Sequence, residues 1–312
     1  MLTEKQLETH NRCITGSKVA SILGLSPWKS KWQVFAEMHG DVEIPDISTT
    51  RMKMGNYAEG MMDEYVKNEL GWNIMPGPDE GKFHPDYDFL FGLIDRFRTD
   101  ETSRPTRIVE YKNVDGFVKK QWDEGPPDHY LCQVHFYSAL WDMPAEFFTL
   151  FGGNTPEVFE VERDKEIEEY IIDQAVKFWD DLQNDRYPEP DASDSCTQTL
   201  QKMFARNDGE MIPGSPEELD HAIAYKKASQ EEKEAEERKK LHGNFLRVAI
   251  DIKDGIVFPD GSIATWKQSK GSLKFDKVKF EADNPELDQR YYATVPGARR
   301  LLVKIKKELH NS

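Results

Sequence analysis

The chain has 312 residues, 38% of them hydrophobic and 31% charged, with a formal net charge of −16 at pH 7. That is enough apolar material for one large or two ordinary globular domains under a heavily charged surface. No apolar run approaches the ~20 residues that cross a bilayer. The N-terminal Met1-Leu2-Thr3-Glu4-Lys5 lacks the layout of a secretory signal. Cys13, Cys132 and Cys196 are too scattered for a disulfide framework or a zinc or iron–sulfur site. A cytoplasmic protein is expected, with no membrane partner and with reduced cysteines filling small spaces. Residues 1–190 hold the entire negative excess, whereas 191–312 carry 21 basic and 21 acidic residues. Such acidity argues against tight, metal-free binding of nucleic acid over a broad surface. Bound divalent ions, however, add positive charge that a sequence count omits.

Residues 1–40 predict two short helices. Thr15-Gly16-Ser17 opens the first, with Val19, Ile22 and Leu23 on its apolar face and Gly24 as its stop; Ser30 caps the second. Residues 55–70 predict a third helix, with apolar positions 58, 61, 62, 65, 66 and 70 at the 3.6-residue period. Two strands are expected next, over 89–98 and 106–113, joined by a polar hairpin loop at 100–105. A helix over 130–141, a strand around 147–151 and an amphipathic helix over 164–184 complete an α/β or α+β domain ending near Pro190. Residues 187–214 hold three prolines and many Asp and Ser residues and look like a linker, placed at 191–214. Ser215-Pro216-Glu217-Glu218 is then a capping box that starts a long charged helix, with Gly243 as its expected stop. The remainder reads as a small β-rich module with a hairpin turn at Asp260-Gly261. In it, Trp266, Lys267, Lys270, Lys274, Phe275, Lys277, Lys279 and Phe280 interleave aromatics with bases. The expected division is therefore 1–190, a linker at 191–214, and an accessory module at 215–312.

The chemistry concentrates in Ile108-Val109-Glu110-Tyr111-Lys112. Alternate residues of a strand share a face, so Glu110 and Lys112 point together, opposite Val109 and Tyr111. A carboxylate and an ammonium on an otherwise buriable strand are costly unless paired or used. The preceding apolar run ends in Asp95, which the hairpin can bring toward Glu110. Two carboxylates facing one spot call for a cation, and hard oxygen donors suit Mg²⁺ or Mn²⁺. Lys112 could then orient the attacking water or help deprotonate it.

An Asp followed by Glu-x-Lys on a hairpin resembles the core of the PD-(D/E)XK nucleases. Three flanking motifs narrow the resemblance. They are Arg12-x-Ile14-Thr15-Gly16-Ser17, then Gly55-x-x-x-Glu59, then Tyr130-x-x-Gln133-Val134-x-x-Tyr137. In this order they resemble the lambda-type phage alkaline exonucleases, or YqaJ-type viral recombinases, over roughly residues 10–185. Two departures are visible. Ile94 stands where a proline is usual, and Arg96 stands where a small residue is frequent.

The resemblance implies a restriction-endonuclease-like mixed sheet flanked by helices. It implies a Mg²⁺-dependent exonuclease that degrades one strand of linear duplex DNA from its 5′ end, leaving a 3′ overhang for recombination. By that resemblance, Asp95, Glu110 and the Tyr111 carbonyl bind metal, and Glu59 ligates or orients a second ion. Lys112 positions the water, Gln133 supports Lys112 or the phosphate, and Arg12 and Ser17 grip the 5′-terminal phosphate. It also implies a ring trimer, a single-strand-annealing recombinase as partner, and a phage or prophage protein acting in the cytoplasm of a bacterial host. The alternatives are a RecB-like or Cas4-like nuclease of other polarity, against which the scattered cysteines argue, and a non-catalytic DNA-binding scaffold.

Overall fold

The computed structural model describes residues 3–44, 49–285, 293 and 299–305. It divides into two compact units, 1–204 and 205–312.

The first unit opens with α1, Glu4–Arg12, which the periodicity missed. A reciprocal capping box between Thr3 and Gln6 starts it, and none of its residues is buried. A two-residue strand β1, Ile14–Thr15, leads into α2, Gly16–Ile22. Next comes α3, Lys31–His39, capped by the Ser30 hydroxyl as expected and closed by Gly40 in the left-handed region. The helix expected from residue 55 starts earlier, as α4, Thr50–Asn68, capped by Thr49. Of its expected apolar stripe only Ala58, Met62 and Val66 are buried, while Met61, Tyr65 and Leu70 are exposed. The helix thus rests on a narrow seam rather than a broad face.

Strands β2, Asn73–Pro76, and β3, Lys82–Phe83, precede the main departure from expectation. The strand expected over 89–98 is two strands, β4, Leu90–Gly92, and β5, Arg96–Thr99. They lie in different sheets. β1, β4 and β3 form a small sheet in that order. β5 joins the main sheet with β6, Pro105–Val114, β7, Ala145–Phe151, and β8, Thr155–Val161, in the order β2-β5-β6-β7-β8. All neighbours in it are antiparallel except β6 and β7. The parallel crossover between these two runs through a 3₁₀ turn at Gly116–Trp122 and α5, Asp128–Trp141. The unit ends with α6, Lys165–Gln183, and α7, Asp194–Met203.

A mixed sheet flanked by helices is therefore what the chain builds, as expected. Alternation along β6 splits its neighbours. Ile108 joins the main core with Phe147, Val134 and Phe136, whereas Val109 and Tyr111 join Met62, Val66 and Phe148 beneath α4. The segment expected as a linker is not uniformly one. α7 lies within it, buries Cys196 and Thr199, and ties Ser195 to Gln33 and to the Ser30 backbone.

In the second unit the capping box at Ser215 is present and starts α8, Pro216–Ile250, which runs past the expected stop at Gly243. A glycine inside a helix costs about 1 kcal/mol, too little to end a 35-residue helix. The expected hairpin follows as β9, Gly255–Val257, and β10, Ile263–Thr265, and then α9, Lys277–Asp283. Strand content among the described residues of this unit is that one hairpin, less than a β-rich module. Among the described residues no helix is long and apolar enough to cross a membrane.

Candidate active site

The break between β4 and β5 makes the site. β5 pairs with β6 only as far as Arg96 opposite Val109, so the edge of β6 at Tyr111 has no strand beside it. Asp95, the residue just before β5, fills the gap. Its Oδ2 accepts the Tyr111 backbone N–H at 2.8 Å. Both backbone groups of a strand residue point to the same side, so the Tyr111 carbonyl is directed toward Asp95 as well.

Glu110 is buried on the α5 side of β6. The Lys112 ammonium donates to Glu110 Oε1 at 2.9 Å and to Gln133 Oε1 at 3.0 Å. Gln133 Nε2 donates to the same Glu110 oxygen at 2.8 Å and to the Tyr137 hydroxyl at 3.1 Å. The ring of Tyr130 lies 4.9 Å from Lys112 Nζ. Gln133 is one turn from both Tyr130 and Tyr137, which explains the spacing of the downstream motif. Tyr137 in turn is why residue 16 is glycine, since a Cβ there would stand 2.5 Å from the Tyr137 ring.

Burial, followed by the charge of Asp95, pushes the Glu110 carboxyl up to about 7, against the pull of Lys112. Burial also raises Asp95, opposed by the Tyr111 N–H. For Lys112, burial acts to lower the pKa, but the Glu110 and Asp95 charges outweigh it and raise it. Glu59, on α4, is raised by burial and then by Asp95.

Glu59, Asp95, Glu110, Gln133 and Ser17 all line one cleft of about 440 Å³. Arg12 does not; its side chain is exposed outside the lining. The basic-type group in the cleft beside Ser17 is His10, which sequence reasoning passed over because a lone histidine carries no spacing signal. His10 Nε2 lies 3.0 Å from Ser17 Oγ and 3.3 Å from Thr15 Oγ1. Burial and the nearby Lys18 ammonium lower its pKa to about 4. Lys18 donates to the carbonyls of His10, Asn11 and Cys13, closing the end of α1.

Asp63 was also missed. It sits four residues after Glu59 on α4, hence on the same helix face, and that spacing could have flagged it. Asp63 accepts from Arg96 Nε at 2.8 Å and Nη2 at 2.9 Å, and from the Tyr111 hydroxyl at 2.9 Å. Arg96 also donates to the Asp95 carbonyl at 2.7 Å and lies 3.6 Å from Glu59.

A metal fits part of this arrangement. Asp95 and Glu110 are buried carboxylates, both raised chiefly by desolvation, and the Tyr111 carbonyl is a third hard oxygen beside them. Among the described residues there is no preformed group of three or more His, Cys, Asp or Glu positioned around one ion.

A mixed sheet that breaks to bring two buried carboxylates and a lysine together defines an α/β domain with an acidic cleft. Residues 5–143 match the YqaJ-like viral recombinase domain. The chain is 26% identical over 213 residues to the uncharacterized protein YqaJ of Bacillus subtilis (strain 168), covering 67% of this chain and 65% of that protein. It thus spans just under two thirds of that curated relative. Among solved structures it is similar to an alkaline exonuclease of Laribacter hongkongensis, with TM-score 0.49, 18% identity, and 59% and 94% of the two chains covered. A phage-related exonuclease of Haemophilus somnus 129PT gives TM-score 0.42 and 14% identity, over 57% and 98%.

Proposed function

We propose that this protein is a divalent-metal-dependent exonuclease that degrades one strand of linear duplex DNA from the 5′ end and leaves a 3′ overhang for phage-type recombination. The observation that carries the reading is the Lys112 ammonium, fixed between Glu110 and Gln133, which line one cleft together with Asp95. The YqaJ-like family match of residues 5–143 supports the same class.

In this reading Asp95, Glu110 and the Tyr111 carbonyl hold a Mg²⁺ ion, for which Mn²⁺ can substitute. The ion supplies Lewis acidity toward water and the scissile phosphate. Lys112 has three donors, two of them engaged by Glu110 and Gln133, and the third aligns the attacking water. Gln133 holds the lysine's direction, and Tyr137 holds Gln133. Ser17, with Thr15 and His10, is the group proposed to receive the 5′-terminal phosphate. Arg12, exposed outside the cleft, reaches at most the DNA flanking it. A single-strand-annealing recombinase as partner and a ring of three copies belong to the same proposal and rest on the family resemblance alone.

The test is digestion of duplex labelled at the 5′ or the 3′ end, with Mg²⁺ or with EDTA. The 5′ label should be released first as mononucleotide, only with metal, and Asp95→Asn and Lys112→Ala should each lower the rate at least 10²-fold, on the scale of lost metal or acid–base function. Early release of the 3′ label refutes the polarity. Undiminished metal-dependent cleavage by either variant refutes the site.

A further inference from the structure

Arg96 follows the metal-side aspartate directly, and it is the most firmly held cation in the cleft. Three of its N–H groups are engaged: Nε and one on Nη2 by Asp63, and one on Nη1 by the Asp95 carbonyl. Two of the five donors of a guanidinium remain. Asp63 is itself fixed by the Tyr111 hydroxyl, and the Arg96 guanidinium lies 5.6 Å from the Tyr111 ring. Arg96 therefore cannot swing out of the cleft that it lines.

Its Nη2 is 3.6 Å from Glu59. A dication ligated by Glu59 would stand beside this clamped positive charge, with few other donors to hold it. Asp95 and Glu110, by contrast, can hold one ion that keeps several waters, the habit of Mg²⁺.

Resting on the nuclease reading above, we propose that Arg96 is a built-in cation of the site. It neutralises Glu59 and contacts a DNA phosphate at that end of the cleft, so that the protein binds one divalent ion, at Asp95 and Glu110, rather than two. A bidentate guanidinium suits a phosphate better than a lysine would.

The experiment has two arms, both on the full chain and neither read by activity. In the first, bound Mn²⁺ is counted by electron paramagnetic resonance in the presence of duplex. One ion per chain is expected for the wild type and for Glu59→Gln, and none for Asp95→Asn. Two ions in the wild type overturn the proposal, as does loss of the single ion in Glu59→Gln. No bound Mn²⁺ in the wild type, together with no metal-dependent cleavage, takes down the nuclease reading and this proposal with it. In the second arm, duplex affinity is measured in EDTA across a salt series. Arg96→Gln should bind about tenfold more weakly, with the log–log salt slope reduced by about one, the signature of one lost phosphate contact. Since Arg96→Gln leaves Asp63 uncompensated and could unfold the cleft, the Asp63→Asn/Arg96→Gln double variant is measured beside it. An unchanged slope in the double variant overturns the phosphate contact.

Discussion

Asp95 shows how one residue can trade stability for a cation site. Its folded pKa is raised above the unfolded value, chiefly by burial, so the folded protein penalises the ionised form. That penalty is absent below the unfolded pKa of about 4 and grows as pH rises through the folded pKa. Glu110, raised to about 7, behaves in the same sense. The metal-free protein should thus lose stability between about pH 4 and pH 8. Asp95→Asn keeps an oxygen for the Tyr111 N–H and removes a charge. In EDTA at about pH 8 the variant should melt higher than the wild type, with the gap vanishing near pH 4. Added Mg²⁺ should raise the melting temperature of the wild type only. A variant that melts no higher than the wild type at pH 8 in EDTA would show that Asp95 carries no such penalty.

Among the elements, the short break at residues 93–95 decides the site, and Gly77 guards it. A Cβ at Gly77 would lie 2.2 Å from the Ile94 carbonyl oxygen, a backbone atom with little room to yield, and the Gly77 N–H donates to the Asp95 carbonyl. Gly77→Ala should therefore displace Asp95, lower cleavage by an order of magnitude or more, and cost about 1–3 kcal/mol in a denaturant melt. Normal turnover in a normally stable variant would mean the break is less rigid than its contacts imply. The break also marks where the sequence stopped being legible. The alternation of β6 and the aspartate ending an apolar run were readable, and with them Glu110, Lys112 and Asp95. Residues 89–98 nevertheless read as one strand, because periodicity reports a buried face and not which neighbour each half pairs with. β8 was missed because the charged Glu157 and Glu160 dilute an edge strand's pattern, and α1 because nothing in it is buried. Asp63 escaped because its partners Arg96 and Tyr111 arrive from distant strands, and His10 because a lone histidine carries no spacing signal.

At the scale of the whole molecule, α7 moves the boundary at which the chain can be cut. The nuclease reading assigns every candidate residue to 1–204, and α7 belongs to that unit through Ser195, Cys196 and Thr199. We expect a chain ending at Phe204 to fold and to cleave short duplexes in a metal-dependent way, with reduced processivity or partner binding. A chain ending at Pro190 should fold less stably, by about 2 kcal/mol or more, for the lost burial and hydrogen bonds. Parallel thermal melts and short-duplex digests check both. If the longer truncation is folded yet inactive, residues 205–312 contribute to catalysis and the assignment of roles to the two units is wrong.

The alternation of β6 also governs how this protein can vary in length. Glu110 and Lys112 share one face of the strand while Val109 and Tyr111 pack beneath α4. Inserting or deleting a single residue between Ile108 and Lys112 turns every side chain beyond it to the opposite face. Such an indel would carry the lysine into the hydrophobic seam and Tyr111 into the cleft, so no compensating point change nearby could restore both. The hairpin loop around Asp100 and Arg104, exposed and closed by its own turn, is under no such constraint, and each doubling of its length costs only about 0.6 kcal/mol. Gaps among relatives should therefore collect in that loop, and the five residues from Ile108 to Lys112 should align without one.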